Sequence, residues 1–591
     1  MNDPRLAAAP LLLPRPRHIE LTGGAVPSDA PVACARDAGI PPQGFHLEIG
    51  RDGIHLRCAD DGGERYGRAA LGQIRTQSRE TLPGLRVRDW PDYPVRGYML
   101  DVSRDRVPNR ATLERIVELL DMLRINHLQL YTEHTFAYPG HEAVWRDASP
   151  MTPSDIRWLD ALCAERGIEL AANQNGFGHM ARWLRHPAYE DLAETPGGWT
   201  TAWGARWPAA VLHPDERARA FVLGLYRELR PCFSSRRINI NFDETFELGK
   251  GRSADRVAAV GRGRVYFEFL QSIVRELQHD GAEVLFWADV LRVHPELIAE
   301  LPARDLIALV WHYEAPIADP ALPAGLEEIL ADVGIDEEAL RGFAGQVPAI
   351  ADTGVPFWVC PGTSSWNSLL GRWTNAKANL IDAAATGTAH GAQGYLITDW
   401  GDNGHMQPPS VSFAPLAFGA SIAWCADSNR DLDVATALDT FVFDDRRGLL
   451  GTAVLRAAEV YRQSGARAFN GSPLFYPLVG VEGSFLGGPP PNTDGIARVM
   501  DELSAAERDI TNAEPRCADG ELIQRELRQA IRLTRIGAAL LARQHQLEVD
   551  ESVADSDAIA IALEEQRACW LARSRPGGLE DSLAKLVVAT T

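Results

Sequence analysis

Three regimes of apolar and polar patterning divide the chain. In the first, residues 1–92, Phe45-His-Leu-Glu-Ile-Gly and Gly53-Ile-His-Leu-Arg-Cys alternate with period two and flank Gly50-Arg-Asp-Gly53, which predicts a hairpin. A helical stretch is predicted next, from about Glu64 to Arg79, and Pro91-Asp-Tyr-Pro94 reads as a linker. In the second regime short apolar runs recur: Val95–Ser103, Asn126–Glu133, Ile168–Asn175, Arg237–Glu244, Glu283–Asp289, Leu306–Tyr313, Pro356–Pro361 and Gly394–Gly401. Between them lie amphipathic stretches such as Asn109–Arg124, Ser154–Arg166, Asp215–Leu229 and Arg264–His279. The third regime is helical: Thr436–Asp444, Gly451–Ser464, Asp494–Asp509 and Asp519–Gln544.

Apolar runs of that length suit strands buried on both faces, as in a parallel sheet. Eight of them, each followed by a helix, predict an α/β fold built on a (β/α)₈ barrel. A doubly wound open sheet needs a phosphate-binding glycine turn after its first strand, and Val95–Arg104 has none. The expected organisation is a small α/β domain over 1–92, the barrel over 93–430 and a helical C-terminal domain over 431–591.

Composition narrows the partners. A length of 591 residues exceeds one compact core. The formal net charge of −21 repels phosphate backbones, so nucleic acid is not an expected partner. The eight cysteines (34, 58, 163, 232, 360, 425, 517 and 569) are scattered with no CxxC, so free buried thiols are expected and a zinc site is not. Met1–His18 has no basic start and its apolar run is broken at Pro10; with no long apolar stretch elsewhere, a cytoplasmic protein without a membrane span is expected. A homodimer is carried as one possible assembly.

Function in a (β/α)₈ barrel sits at the C-terminal strand ends. Those ends carry, in order, Asp101-Val-Ser-Arg104; Glu133-His134; Asn173-Gln-Asn-Gly-Phe-Gly-His179; Asp243-Glu244; Trp287-Ala-Asp289; Trp311-His-Tyr-Glu314; Thr363-Ser-Ser-Trp-Asn367; and Trp400-Gly-Asp-Asn-Gly-His405. A single tryptophan there is as readily rim filler. Tryptophans at four consecutive ends, among carboxylates and an arginine, point to a carbohydrate site, because sugar C–H faces stack on rings and hydroxyls need paired donors and acceptors.

Asp243 and Glu244 are neighbours, and neighbours on a regular strand face opposite ways. Both reach the mouth only where the strand breaks its alternation. An adjacent pair also suggests unequal work: one acid protonates the leaving oxygen while the other orients a substrate group that is itself the nucleophile. A random Asp-Glu is usually a solvated surface pair; its position after Ile238-Asn-Ile-Asn-Phe242 favours function.

At these residues the chain resembles glycoside hydrolase family 20, the β-N-acetylhexosaminidases. Arg96-Gly-Tyr-Met-Leu-Asp-Val-Ser-Arg104 resembles the family's opening barrel strand, Gly176-Phe-Gly-His179 its Pro-Gly-His segment, Asn239-Ile-Asn-Phe-Asp-Glu244 its His-Ile-Gly-Gly-Asp-Glu motif and Trp400-Gly-Asp402 its Trp-x-Glu, while Arg65-Tyr-Gly-Arg-Ala-Ala-Leu-Gly-Gln-Ile resembles the preceding α/β domain. Glu133-His-Thr-Phe-Ala-Tyr138 and Asp243-Glu-Thr-Phe-Glu-Leu-Gly249 are similar to the hexosaminidase D branch. There are departures. Asn241 and Phe242 replace paired glycines, Asp105-Arg-Val107 replaces His-x-Phe, Asp402 replaces Glu, and the family's acetamide-clamping Tyr-x-Asp has no match, leaving Tyr313, Trp366 and Asn367 as stand-ins.

The resemblance implies a retaining exo-β-N-acetylhexosaminidase acting on oligosaccharides or glycoconjugates with terminal N-acetylhexosamine, by substrate-assisted catalysis and without metal or cofactor. It gives Glu244 as general acid and base, Asp243 as acetamide orienter, Arg104 and Asp402 as hydroxyl contacts and Trp287, Trp311, Trp366 and Trp400 as the sugar box. His179 and Glu133 tune the acid, and Asp289 is a weaker candidate. Two other readings stay open: a barrel glycosidase for another or modified 2-acetamido sugar, and a non-catalytic carbohydrate-binding protein.

Overall fold

The computed structural model describes residues 9–78, 80–201, 204–298, 300–301, 304–318, 336–481 and 489–586. It opens with strands β1 (His18–Pro27), β2 (Val32–Arg36), β3 (Phe45–Gly50) and β4 (Gly53–Cys58), a helix Asp61–Thr76, and β5 (Thr81–Asp89), in the sheet order β1-β5-β3-β4-β2. The predicted hairpin is β3–β4, paired Phe45↔Cys58 to Gly50↔Gly53. The helix starts earlier than Glu64, because the Asp60 side chain accepts from the Gly63 N–H and caps it; Arg79, its predicted end, lies outside the described residues. The patterning did not reveal β1, β2 or β5. The outer strands β1 and β2 are largely exposed on both faces, so they carry no alternation. In β5, Gly84 packs so close to the Gly23 carbonyl that a Cβ would come within 2.2 Å, which forces a glycine into the strand.

The sheet docks on the barrel through buried charge. Asp89 accepts from Arg124 Nη1 at 2.7 Å and from Trp424 Nε1 at 2.9 Å. Arg96 spans the junction, donating to the carbonyls of Arg124 and Tyr93 and to Tyr66 Oη.

All eight predicted runs contain one strand of a closed parallel barrel. These are β6 (Val95–Asp101), β7 (His127–Tyr131), β8 (Glu169–Asn173), β11 (Arg237–Asn239), β12 (Glu283–Trp287), β13 (Leu306–Trp311), β14 (Phe357–Cys360) and β15 (Gly394–Asp399). A two-stranded ribbon, β9 (Trp199–Thr200) and β10 (Arg206–Trp207), stands in the loop after β8. Closure pairs β15 with β6 from Gly394↔Val95 to Asp399↔Leu100. Met99, Leu285, Leu309, Trp358 and Leu396 pack together inside the barrel. An amide chain shares that interior. Gln129 Oε1 accepts from Asn173 Nδ2 at 2.8 Å and Asn239 Nδ2 at 3.0 Å, and Asn173 Oδ1 accepts from Asn241 Nδ2 at 2.8 Å. Each buried amide has a partner, as burial requires.

The fourth run departs from expectation. Regular strand stops at Asn239, and residues 240–244 continue irregularly, although the Ile240 N–H still donates to the Leu285 carbonyl.

Beyond the barrel, the helices Thr493–Asn512, Gly520–Gln544 and Ser556–Arg573 form a helical region. The stretch predicted as Thr436–Asp444 is a short α-turn, Val434–Ala437, continuing into a π-turn, Leu438–Val442. The region clasps the barrel's loops: Ser582 Oγ donates to the Gly404 carbonyl at 2.6 Å, Arg575 N–H to the Val107 carbonyl at 2.8 Å, and Arg182 pairs with Asp581 at 2.6 Å.

The eight cysteines are free, but not all are buried as expected: Cys34 is exposed and Cys517 half-buried. Cys34 lies on the outer strand β2, its Sγ 3.7 Å from that of Cys58, whose sulfur also faces Arg36 Nη1 at 3.3 Å. Among the described residues no helix is long and apolar enough to cross a membrane.

Candidate active site

The acidic pair owes its position to the broken strand. Asn241 (φ +63°), Phe242 (φ +72°) and Glu244 (φ +50°) all adopt left-handed backbone, which side-chain-bearing residues seldom do. Glycines at the first two would adopt it freely; here side-chain contacts hold it. Asn241 is tied at both ends, donating to Asn173 Oδ1 and accepting from Trp287 Nε1 at 2.8 Å. Phe242 sits among Phe177, Tyr266 and Phe269, and its carbonyl accepts from Tyr266 Oη at 2.8 Å. The turn lets consecutive residues face one mouth. Gly178 fits against it where a Cβ would come within 2.3 Å of the Asp243 carbonyl oxygen.

Asp243 and Glu244 differ in environment. Asp243 is buried, 6% exposed, and accepts from Asn175 Nδ2 at 3.2 Å. The Glu244 side chain is 36% exposed, and its backbone N–H donates to Asp289 Oδ2 at 3.2 Å. His179 Nε2 stands 3.3 Å from Asp243 Oδ2 and 3.3 Å from Glu244 Oε2. Burial opposes the imidazolium, but Asp243 and Glu244 outweigh it and hold His179 well above the usual histidine range. Burial likewise opposes the Asp243 charge, and His179 more than offsets it, so its pKa is lowered. Asp289 is the third acid: burial and the nearby Asp243 raise its pKa to about 7. Its Oδ1 has no protein partner among the described residues, as suits a neutral carboxyl group.

Arg104 is the other cation. It meets Asp101 Oδ2 at 3.0 Å and Glu133 Oε1 at 3.3 Å, with its guanidinium carbon 4.6 Å from the Tyr131 ring centre and 4.9 Å from that of Trp400. Its Nη2 is 3.5 Å from His179 Nδ1; the surrounding carboxylates permit two cations so close. Glu133 accepts from Tyr131 Oη at 3.0 Å, and burial raises its pKa against the pull of Arg104. Burial raises Asp402 too, again with Arg104 opposing.

The aromatic groups separate into a front and a back. Trp311 stacks on Tyr313 with centroids 5.0 Å apart, and Trp400 stands edge-on to Tyr131 at 4.8 Å. Trp366 is fully buried, edge-on to Tyr313 at 5.1 Å. Trp287 is also fully buried and lies deeper, its N–H spent on Asn241. Asn367 braces loops: its Nδ2 donates to the Asn470 carbonyl at 3.1 Å and its Oδ1 accepts from Asn403 at 3.0 Å.

Four participants were missed. Asp101 orients Arg104 and also accepts from the Gly401 N–H at 2.9 Å, joining the first and eighth strand ends. Tyr131 lies within a predicted strand, where its direction was the only signal, and Asn175 had stood among the polar strand-end residues without a role. Asn470 comes from the C-terminal region and accepts from Trp366 Nε1 at 2.8 Å; the Asn470-Gly471 turn signal was its only mark.

Comparison with known proteins agrees with this geometry. Residues 93–334 match the family described as "Glycosyl hydrolase family 20, catalytic domain". Over that stretch, which holds the first six barrel strands, the chain is similar to glycoside hydrolase family 20. A "Beta-hexosaminidase" of Akkermansia muciniphila is 27% identical to the chain over 225 residues, 34% of this chain and 45% of that protein. Human "Hexosaminidase D" is 24% identical over 378 residues, 62% of this chain and 71% of that protein. This chain thus spans less than half of the Akkermansia relative. The structure of Flavobacterium johnsoniae chitobiase matches at TM-score 0.55 and 13% identity, over 97% of this chain and 98% of that one, a likeness of fold. The matched stretch includes Asp243 and Glu244, after the fourth barrel strand.

Proposed function

We propose that the protein is a retaining exo-β-N-acetylhexosaminidase that removes terminal β-linked N-acetylglucosamine or N-acetylgalactosamine by substrate-assisted catalysis. The observation that carries this reading is the unequal pair: a buried, ionised Asp243 beside a half-exposed Glu244, both on His179. The match of residues 93–334 to the family 20 catalytic domain supports it.

Glu244, open to solvent, donates its proton to the glycosidic oxygen as the leaving group departs. Asp243 accepts the acetamide N–H, which turns the acetamide oxygen toward the anomeric carbon and offsets the charge that develops as the oxazolinium ring closes. Glu244, now a carboxylate, deprotonates the water that opens the ring from the same face as the departed group, so configuration is retained. Tyr313 is the best-supported donor to the acetamide oxygen. The Trp366 N–H and both ends of the Asn367 amide are already engaged; burial keeps the Tyr313 hydroxyl protonated, with the side chains of Trp400 and Thr398 also in hydrogen-bonding reach of it. Arg104 and Asp402 serve the ring hydroxyls, and Trp311, Tyr313 and Trp400 give the apolar wall.

A panel of 4-nitrophenyl β-glycosides tests the reading. The 2-acetamido glucoside and galactoside are hydrolysed and the plain glucoside and galactoside are not. Glu244→Gln loses about 10²–10⁴-fold on poor leaving groups and much less on the aryl glycosides, whereas Asp243→Asn is slow on both. Turnover of the plain sugars alone, or wild-type rates in both variants, contradicts the assignment.

A further inference from the structure

Asn470 reaches the barrel mouth from outside the barrel, and its contacts fix its orientation. Trp366 Nε1 carries only a donor, so the oxygen of the Asn470 amide faces it, at 2.8 Å. The amide nitrogen is then turned to Asp402 Oδ2, at 3.5 Å. We propose that Asn470 is a positioning residue of the sugar pocket, through which the C-terminal region sets the pose of the Asp402 carboxylate and so the discrimination between epimers at the hydroxyl Asp402 meets. This rests on the reading of Asp402 as a hydroxyl contact.

The loop that presents Asn470 is clamped on every side. Its backbone N–H donates to Glu314 Oε1 at 3.1 Å, and Glu314 is held by the buried Arg372 through two bonds of 3.0 and 2.7 Å. The Asn470 carbonyl accepts from Asn367 Nδ2, and the Ser472 N–H donates to the Asn367 carbonyl at 2.8 Å. Tyr476 Oη donates to the Phe469 carbonyl at 2.8 Å. Gly471 leaves no room for a side chain, since a Cβ would come within 2.7 Å of Tyr476 Oη. Asn470 itself is left-handed, φ +52°, a conformation asparagine tolerates better than most residues. Glu314, Trp366 and Asp402 follow the sixth, seventh and eighth barrel strands, so this one residue ties three consecutive strand ends to the C-terminal region. A packing loop would need the backbone clamp alone. Here the side chain is also committed, with its donor end on an acid of the pocket.

Two substitutions in the full chain separate side chain from backbone. Asn470→Gly keeps the left-handed turn and deletes the amide. Asn470→Asp keeps the turn and the acceptor for Trp366, but sets a carboxylate against Asp402. Steady-state kinetics are measured on the 4-nitrophenyl 2-acetamido β-glucoside and β-galactoside, with thermal unfolding alongside. For Asn470→Asp, KM rises about tenfold with kcat within about threefold of wild type, the pattern of lost binding rather than lost chemistry. Asn470→Gly shows a smaller rise, and the glucoside-to-galactoside ratio of kcat/KM moves about threefold or more in both. Unchanged KM and epimer ratio in both variants overturn the proposal, as does equal loss on both epimers in step with a lower Tm. A wild-type enzyme inactive on both glycosides marks failure of the hexosaminidase reading instead, and is seen before any variant is compared.

Discussion

Asp289 carries the clearest pH signature of the site. Its ordinary pKa is 3.8, and burial beside Asp243 brings it to about 7 in the fold. Between those values the unfolded chain has released the proton and the folded chain keeps it, so folding takes one up. The sign follows: this contribution to stability is complete below about pH 4 and disappears as pH rises through about 7. Thermal unfolding from pH 4 to 8 should show wild-type Tm falling relative to Asp289→Asn, whose amide stays neutral and still offers an oxygen to the Glu244 N–H. Parallel profiles would remove Asp289 as the titrating group. Asp289 was legible in the sequence only as a weaker candidate, because a carboxylate two residues past a strand end reads the same whether neutral or charged.

At the scale of elements, the decisive feature is a strand that stops early. The apolar run Ile238–Phe242 made the fourth strand visible, yet it could not reveal that Asn241, Phe242 and Glu244 leave the β region. Resemblance to a Gly-Gly-Asp-Glu motif marked the spot, and the physical reason is now visible. Where glycines would adopt the turn without cost, the Asn173–Asn241–Trp287 chain and the Phe242 aromatic cluster impose it. The turn leaves no space above it at Gly178. Gly178→Ala should therefore push on the Asp243 backbone, lowering stability by about 1–3 kcal/mol as overpacking does. It should lower kcat about 10²-fold, the scale of loss for a small misplacement of a catalytic group. Circular dichroism melts and aryl-glycoside kinetics read both effects, and a variant with wild-type kcat would show that the Asp243 backbone can shift without loss.

Across the whole molecule, legibility follows burial. The eight barrel strands are buried on both faces and appear as apolar runs, so architecture and strand ends could be read together. The outer strands β1 and β2 of the first sheet are exposed and left no periodic trace. The C-terminal helices were readable as helices, but not where they pack. The region's part in the mouth depends on single polar contacts such as Asn470 to Trp366 and Ser582 to Gly404, and such contacts leave no pattern in a sequence. Strand-end chemistry belongs to the barrel alone, and the finished pocket belongs to the barrel and the C-terminal region jointly.

The central claim is that the nucleophile belongs to the substrate and Asp243 only aims it. Its most direct test is the rate of hydrolysis of aryl β-glucosaminides whose N-acyl group carries zero, one, two or three fluorines. Each fluorine withdraws electrons from the acyl oxygen and weakens it as a nucleophile. The account predicts a steep, monotonic fall in kcat/KM along the series, with β-configured product formed first from the parent compound. A flat series, or accumulation of a covalent sugar on Asp243 or Glu244, would contradict it.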